Sequence, residues 1–381
     1  MMFLSKQPKK QIENYKNILN AVGSLSNLFS DNTIPYLYYR VAENAFCRAF
    51  EAENLSRSDC SADARKAVQG VGLKTFHENN GKTMQKIAEF NKARNVYKRY
   101  ISDHCKLVME ISKMRNKRIE ATKAVHGVNE IIYHCVSRKP GEFIIYEQDM
   151  PLIDLNQIKV SKSSKSSNII YFSDTKEEYS FNVSKSTLFK RFCTPKDCLK
   201  LPVKIIADPF ELLDSLFQEK QIKGEVGKEK LSVVLPLYSS GKNKIVPKKS
   251  GLNQWNAGGR ARKDREVYIP IPAWIHKVFP GFFPGRDTPF KLKLPNGKII
   301  DAKVCQDNQK ALMSNPNTDL GEWILDEILK IPSGKVVTYK MLEEIGIDSV
   351  EVEKEAGNIF AIYFKSLDSY EEFVDHYKLN N

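Results

Sequence analysis

The stretch KKSGLNQWNAGGRARKDREVYIPIP (residues 248–272) combines side-chain amides, a tryptophan, paired glycines and many cations just before a predicted strand. Eight cations and one acid, Asp264, lie between Lys242 and Arg265. Cations at this density neutralise phosphates, while amide and guanidinium groups can bond base edges in the DNA major groove. The stretch therefore predicts a DNA-binding loop. A solvated basic loop whose tryptophan fills a barrel is the alternative.

A second stretch, CQDNQKALMSNPNTDLGEW (residues 305–323), again groups amides and a lysine around a turn. Its alternative role is to cap the following helix through Thr318 or Asp319, and this role is compatible with DNA binding. The residues predicted to contact DNA are Lys248, Lys249, Ser250, Asn253, Gln254, Trp255, Asn256, Arg260, Arg262, Lys263, Arg265, Gln306, Asn308, Gln309, Lys310, Ser314, Asn315 and Asn317.

Three blocks in order along the chain resemble a known domain: KSGLNQWNAGGRARKDREVYIPIP, then FFPGRDTPFKLKLPNGKIIDAKVCQDNQKALMSNPNTDLGEWIL, then VVTYKMLEEIGIDSV. They are similar to the C-terminal B3-like DNA-binding domain of NgoFVII-type restriction endonucleases, over about residues 230–355. The resemblance implies a mainly-β pseudobarrel, as in the EcoRII and BfiI effector domains and plant B3 factors. It also implies two major-groove arms, an N-arm (residues 250–265) and a C-arm (residues 305–317).

Length and composition describe the chain as a whole. With 381 residues, the chain is expected to form two or three domains. The polar run EKQIKGEVGKEK and the change to short strands after it predict a first domain at 1–220, a linker at 221–229 and the B3-like domain at 230–381. A net charge of +13 favours a polyanionic partner, although surplus lysine also serves solubility. Scattered cysteines predict reduced thiols. With no membrane-length apolar run and no signal peptide, a soluble, cytoplasmic protein is expected.

Hydrophobic periodicity predicts helices in residues 12–29 and 36–54 and one long basic helix over 93–125, closed by Gly127. Between the last two helices, SDCSADARKAVQGVGLKTF (residues 58–76) predicts two strands with a turn near Arg65–Lys66. The C-terminal half predicts short strands, KVVTYKML among them, and one helix, DLGEWILDEILK.

Several catalytic motifs are missing from the sequence. His104 and His376 have a lysine two positions later, the spacing of an HxK motif, whereas the other histidines, including His77 and His134, do not. A phospholipase-D-like nuclease is not expected. The chain has no Walker A motif and no glycine-rich methyltransferase signature. Metal-dependent hydrolysis by carboxylates and a lysine remains.

The predicted hairpin can supply those groups. Alternation along the first strand would put Asp59 and Asp63 on one face, with Lys74 across the hairpin. Glu43 falls within the apolar stripe of the preceding helix, where a buried carboxylate needs a partner and a metal site is one.

This helix–strand–strand order, with an acid and then a lysine, resembles a PD-(D/E)XK nuclease core, an α/β fold. The family places an acid two residues before the lysine, where this chain has Gly72. Glu89, expected on a following helix, is the candidate replacement; its alternative is a solvated position beside Lys86 and Lys92. The resemblance implies Mg²⁺, with Mn²⁺ as a substitute, held by Asp63 with Asp59, Glu89 or Glu43.

Together these features predict a type II restriction endonuclease that cuts double-stranded DNA. Homodimerisation is expected, since one site per chain cuts one strand at a time. By the resemblance, a separate cognate DNA methyltransferase is also expected. The alternative is a sequence-specific DNA-binding regulator without nuclease activity. RNA binding is disfavoured because the RNA major groove is too narrow for such arms.

Overall fold

The computed structural model describes residues 3–55, 60–161, 168–219, 231–240, 243–355 and 357–378. Asp59 and the predicted linker at 221–229 lie outside these ranges. Within them, no helix combines the length and the apolar character needed to cross a bilayer.

The α-helices, in chain order, are α1 Lys9–Ser24, α2 Tyr39–Phe50, α3 Arg94–Tyr97, α4 His104–His126, α5 Pro209–Glu219, α6 Ala273–Val278, α7 Asp319–Gly321, α8 Tyr339–Ile345 and α9 Ser369–Lys378. A π-helical segment, Glu322–Ile328, continues α7 and completes the helix predicted in DLGEWILDEILK.

The strands up to residue 202 are β1 Glu53–Asn54, β2 Ala64–Lys66, β3 Gln69–His77, β4 Lys82–Glu89, β5 Glu130–Lys139, β6 Glu142–Asp149, β7 Lys159–Val160, β8 Ile169–Ser173, β9 Glu178–Asn182, β10 Thr187–Cys193 and β11 Leu199–Pro202. Those that follow are β12 Ser232–Pro236, β13 Ser239–Ser240, β14 Lys244–Ile245, β15 Ile269–Pro270, β16 Phe290–Lys293, β17 Ile299–Cys305, β18 Ala311–Ser314, β19 Ile347–Lys354 and β20 Ile359–Ser366.

Two sheets precede α5. The first has the order β1-β2-β3-β5-β6-β11, in which β3 and β5 are parallel and the other neighbours antiparallel. Parallel neighbours need a crossover connection, and here it runs through β4, α3 and α4. β4 follows β3 in the chain but belongs to a second sheet, of order β4-β10-β9-β8-β7, in which it is an edge strand.

Side chains of β3 alternate between two cores. Val71 and Leu73 pack in the cluster that includes Phe46 of α2, whereas Phe76 packs in the cluster that includes Ile119 of α4. Gly72 and Lys74 share the Phe76 face because strand residues two apart point to the same side. The candidate lysine therefore emerges on the α4 side of the sheet.

The helix predicted over 93–125 is divided in two, so that prediction is wrong in its first turns. α3 ends at Tyr97 and a 3₁₀ turn follows, before Asp103 caps α4 by accepting a hydrogen bond from the Lys106 backbone NH at 3.1 Å. An aspartate N-cap satisfies amides that the helix itself cannot. Gly127 ends α4 at φ +61°, as predicted.

The C-terminal strands form one curled sheet of order β12-β19-β20-β16-β17-β18-β15. Its two edge strands, β12 and β15, approach each other, so the sheet is a nearly closed barrel, consistent with a B3-like pseudobarrel. KVVTYKML is not a strand: Tyr339 begins α8, and the Val337 backbone NH donates to the Asn253 side chain at 2.8 Å. That long-range bond replaces the pairing expected of a strand.

Helix α4 packs against both halves of the chain. Ile119 belongs to a core of the first half, whereas Val125 lies in the core of the barrel. Polar contacts reinforce this packing: the Arg65 guanidinium donates to the Pro295 carbonyl at 3.2 Å, and Lys117 of α4 pairs with Glu344 of α8. The barrel thus packs against α4, the helix of the crossover connection.

Gly321 of α7 provides a test of how the N-arm is seated on the barrel. A Cβ at this position would lie 1.9 Å from the Arg265 carbonyl oxygen, a backbone atom that cannot swing away. We expect Gly321→Ala to lower the free energy of unfolding by about 3 kcal/mol, the upper end of the usual overpacking cost. Urea denaturation measures it. Gly258→Ala is the control, since its Cβ would meet nothing within 4 Å; equal stability of the two variants would contradict the expected contact.

Candidate active site and DNA-binding arms

Three of the predicted catalytic residues line one cavity. Glu43 from α2, Asp63 from the turn before β2, and Lys74 from β3 surround a cavity of about 590 Å³, which β4 closes with Gln85. The residues come from separate parts of the chain, and the β2–β3 hairpin together with α2 brings them together. The turn of that hairpin is formed by Ala67, with φ +52°, and Val68, two positions after the predicted turn at Arg65–Lys66.

Asp63 is held at the mouth of the hairpin by two backbone contacts. Its NH donates to the Val71 carbonyl at 2.8 Å, and its Oδ2 accepts the Leu73 NH at 2.7 Å. Burial raises the pKa of Asp63, while the Lys74 ammonium and the Leu73 NH oppose that rise. The carboxylate is therefore fixed in direction but only partly compensated in charge.

Glu43 is more deeply placed, with 7% of its side chain exposed, and pairs with Arg40 at 2.9 Å. Burial raises the pKa of Glu43, and the charge of Asp63 raises it further, whereas the hydrogen bond from Arg40 lowers it. The charge of Asp63 thus disfavours ionisation of Glu43, and a cation between the two carboxylates would relieve this repulsion. Their oxygens are the hard ligands that Mg²⁺ prefers, so the donor set fits this ion.

Position 72, where the resemblance would place an acid, has no room for one. A Cβ on Gly72 would lie 2.8 Å from Met150 Cε and 3.4 Å from the Ser61 carbonyl oxygen. A carboxylate there would require Met150 to move. The departure from the family pattern is thus built into the packing around β3.

Glu89 does not replace the missing acid in this cavity. The helix expected around it is wrong: Glu89 ends β4, whose residues pair with β10. Its exposed carboxylate accepts bonds from Lys86 and Asn91, whose charge and amide lower the pKa of Glu89. Asp59 lies outside the described residues.

Sequence reasoning missed two charged features. Arg40 lines the cavity beside Glu43, and its position one helical turn before that acid was the available signal. In the barrel, Asp348, Asp368 and Glu371 surround the Lys244 ammonium at 3.2, 2.6 and 2.9 Å. The single lysine charge offsets part of the negative charge of these three acids.

The N-arm begins with a 3₁₀ segment, Gly251–Asn256, that is anchored in the barrel. Asn253 is 0% exposed; its amide donates to the Pro247 and Val337 carbonyls and accepts from Val337. All these bonds are internal, which argues against a direct contact of Asn253 with DNA.

The arginines of the N-arm brace the arm itself. Arg260 pairs with Glu266 at 2.7 Å, and Arg265 pairs with Asp326 at 2.6 Å. Arg262 donates to the Ala257 and Gly258 carbonyls within the arm. To form a bidentate contact with guanine, an arginine of the N-arm would have to break these bonds.

Other N-arm groups are better placed to meet a ligand. Lys248, Lys249 and Lys263 are exposed and form no salt bridge with the described residues. Gln254 is mostly buried, but its Oε1 has no hydrogen-bond partner among the described residues.

Of the remaining predicted N-arm residues, Trp255 and Asn256 lie in the same 3₁₀ segment and Ser250 immediately precedes it as its N-cap residue. Trp255 packs against the barrel core, and the exposed Asn256 side chain donates to the Lys248 carbonyl at 2.9 Å. Trp255 therefore braces the arm, as the alternative interpretation of this loop expected.

The C-arm is a tight, unusual turn. Gln306, Asn308 and Gln309 have φ values of +66°, +58° and +55°, a conformation that non-glycine residues rarely adopt. The His276 ring contacts the Gln309 carbonyl at 3.0 Å and holds the turn. Strain of this kind persists where a surrounding structure enforces it, and it is common at ligand-binding sites.

The predicted C-arm contacts divide by exposure. Asn308, Lys310 and Asn315 are exposed, and Gln306, Gln309 and Asn317 are half-buried. Ser314 is 0% exposed and its hydroxyl accepts the Leu320 NH at 2.9 Å. The capping bond expected of Thr318 or Asp319 is therefore made by Ser314, because Thr318, at the N-cap position, forms no side-chain cap hydrogen bond.

With this geometry established, comparison with known proteins identifies the C-terminal region. Residues 225–356 match the family model of the NgoFVII C-terminal B3-like DNA-binding domain. DNA is therefore its partner class. The matched span contains both arms and ends before β20, which completes the sheet. No curated protein matches the chain.

The charge of Glu43 predicts a pH-dependent stability. A carboxyl whose pKa rises on folding destabilises the fold above that pKa and has no such effect below its ordinary value. We expect Glu43→Gln to raise the free energy of unfolding by up to about 1 kcal/mol near pH 8. The gain should shrink as pH falls toward about 4.3.

Urea denaturation at several pH values measures this gain. Glu120→Gln, an exposed substitution on α4, is the control and should change little. Lower stability of Glu43→Gln than wild type near pH 8 would show that the ionised carboxylate is compensated.

The exposed lysines of the N-arm predict a salt effect on DNA affinity. Lys248→Ala combined with Lys249→Ala should reduce the slope of log affinity against log salt by about 2, since each phosphate contact contributes about 0.9. Fluorescence anisotropy with a duplex at several salt concentrations measures the slope. Lys9→Ala with Lys10→Ala, exposed on α1, is the control. An unchanged slope in the N-arm variant would remove these lysines from the interface.

Proposed function

We propose that this protein is a type II restriction endonuclease, a Mg²⁺-dependent enzyme that hydrolyses DNA phosphodiester bonds at a specific duplex sequence. The observation that carries the proposal is the meeting of Glu43, Asp63 and Lys74 in one cavity, in a chain whose C-terminal part matches a DNA-binding domain. Residues 1–220 would form the nuclease domain.

The two carboxylates have complementary roles in this proposal. Asp63, fixed by the Leu73 NH, and Glu43, buried beside it, would hold the metal ion. Mg²⁺ supplies a Lewis acid that polarises a phosphoryl oxygen and favours ionisation of bound water. Mn²⁺ offers the same oxygen preference and is the expected substitute.

Lys74 would act on the substrate. It lies on β3 next to the carboxylates, and its charge lowers the pKa of Asp63. An ammonium at this position can orient the attacking water or stabilise the charge that develops on phosphate. The order of α2, β2 and β3, with an acid before a lysine, supports a PD-(D/E)XK-like core, and Gly72 departs from that pattern.

The barrel would select the DNA sequence. The exposed lysines of the N-arm suit phosphate contacts, which position a protein on the duplex. The amides of Gln254, Asn308 and Asn315 suit base edges. Cleavage of both strands would use a homodimer, and protection of the host would need a separate cognate methyltransferase.

The second candidate is a sequence-specific DNA-binding regulator without catalysis. The family match favours it as much as the enzyme, because that match covers only the DNA-binding region. The buried carboxylate pair favours the enzyme, since a regulator has no need for a buried acid, Glu43, whose pKa is raised further by a neighbouring carboxylate.

Plasmid cleavage tests the proposal. We expect wild type to yield discrete fragments with Mg²⁺ and none with EDTA. Lys74→Ala should lose at least about 100-fold in rate, the usual effect of removing one electrostatic group from a reacting phosphate, while its DNA affinity persists. Lys82→Ala, exposed on β4, is the control and should cut at the wild-type rate.

The outcomes separate the candidates. DNA binding without cleavage, on unmethylated plasmids of varied sequence, would favour the regulator. Full activity in Lys74→Ala would move the active site elsewhere. Nicked circles that accumulate before linear DNA would indicate that the two strands are cut in separate events.

A further inference from the structure

A second, smaller cavity lies behind Gly72, on the α4 side of the sheet. It has a volume of about 80 Å³ and is lined by Asp63, Gly72 and Lys74 on the sheet side and by Arg115 and Arg118 from α4. Met150, whose Cε would lie 2.8 Å from a Cβ at position 72, also lines the cavity. The two arginines are the charged groups that α4 contributes to it.

Arg115 is buried and only partly bonded. It is 3% exposed, and its Nη1 donates to the Pro151 carbonyl at 2.7 Å. Its Nη2 has no hydrogen-bond partner among the described residues. A buried donor on a charged group that lacks a partner costs free energy, so such a group normally indicates a ligand or ordered water.

Arg118 approaches the same cavity from the next turn of α4. Its Nη1 donates to the Glu89 carbonyl at 2.6 Å, and its guanidinium stacks on the Phe90 ring at 4.4 Å. Its Nε is buried and has no hydrogen-bond partner among the described residues. Gly346 of the barrel lies beside this side chain, since a Cβ at that position would be 2.8 Å from the Arg118 Nε.

The charges around the cavity are unbalanced. Three cations, Lys74, Arg115 and Arg118, face one carboxylate, Asp63. Guanidinium groups bind phosphate and sulfate through short, charge-assisted hydrogen bonds. The volume can hold several waters or one tetrahedral oxyanion, and it is too small for a nucleoside.

We propose that this arginine-lined cavity binds a tetrahedral oxyanion of the phosphate class, held by Arg115 and Arg118 next to Lys74. The anion is either inorganic phosphate or the terminal phosphate of a DNA strand, which would enter ahead of its sugar. This binding does not require cleavage, so it can be tested even if the protein is not a nuclease.

Isothermal titration of the full chain with sodium phosphate tests the proposal. Sodium chloride of equal ionic strength serves as the blank. Wild type should bind phosphate at one site per chain. Arg115→Lys keeps the positive charge but removes the unpaired Nη2 donor, so it should weaken phosphate binding at least tenfold. Arg94→Gln, an exposed substitution on α3, is the control and should bind as wild type does.

Two DNA probes identify the source of the anion. A short 5′-phosphorylated oligonucleotide and its unphosphorylated twin are each titrated against wild type and Arg115→Lys. A preference for the phosphorylated form that is lost in Arg115→Lys supports a DNA terminus. No preference, with inorganic phosphate still bound at one site, supports the free anion.

Other outcomes overturn the proposal. Wild type that binds no phosphate would mean that water alone fills the cavity. Equal affinity in Arg115→Lys and wild type would mean an adventitious ion only. Thermal unfolding of each variant without phosphate checks the fold, and Arg118→Lys, at a half-exposed position, replaces Arg115→Lys if the latter does not fold. Phosphate binding in a protein that cuts no DNA would overturn the nuclease but leave this site intact.

Discussion

The parallel pairing of β3 with β5 is the constraint on which the rest of the structure depends. Because parallel strands cannot be joined by a tight turn, the chain must cross over, and it does so through α4. That helix covers one face of the sheet with Ile119 and supports the barrel with Val125. The position of the candidate site, the arginine-lined cavity and the barrel thus follows from one connection.

The electrostatics of the site arise from the same packing. Asp63 and Glu43 share a cavity under α2, and burial raises the pKa of each. Arg115 and Arg118 of α4 line the smaller cavity, which shares Asp63 and Lys74 with the larger one. Negative and positive groups therefore adjoin at Asp63 and Lys74, an arrangement suited to a cation beside an oxyanion.

The two arms illustrate how a polar surface is divided between structure and binding. Asn253 and Ser314 are buried and bond to the backbone, and the N-arm arginines pair within the barrel. A loop that must keep one shape beside DNA needs such internal bonds, since unsatisfied buried groups are costly. The lysines and the remaining amides are the groups left for the duplex.

The sequence by itself determined the local features. Apolar periodicity located α1, α2 and most of α4. Gly127 indicated where α4 ends, and the turn residues between short apolar runs indicated the barrel strands. The order of blocks identified the B3-like region, which the family match bears out. These features are readable because each depends on residues within a few positions of one another.

Only the tertiary structure decided which residues meet. β4 was expected to be a helix, and its strand pairing with β10, about 100 positions away, carries Glu89 out of the cavity. The side chain of buried Asn253 bonds to the backbone of Val337, which lies 84 positions further along the chain. Met150 occupies the space that a side chain at position 72 would need. The crossover through α4 brings Arg115 to the cavity that Gly72 lines. Such long-range contacts leave no periodic signal in the chain, since folding alone brings their partners together.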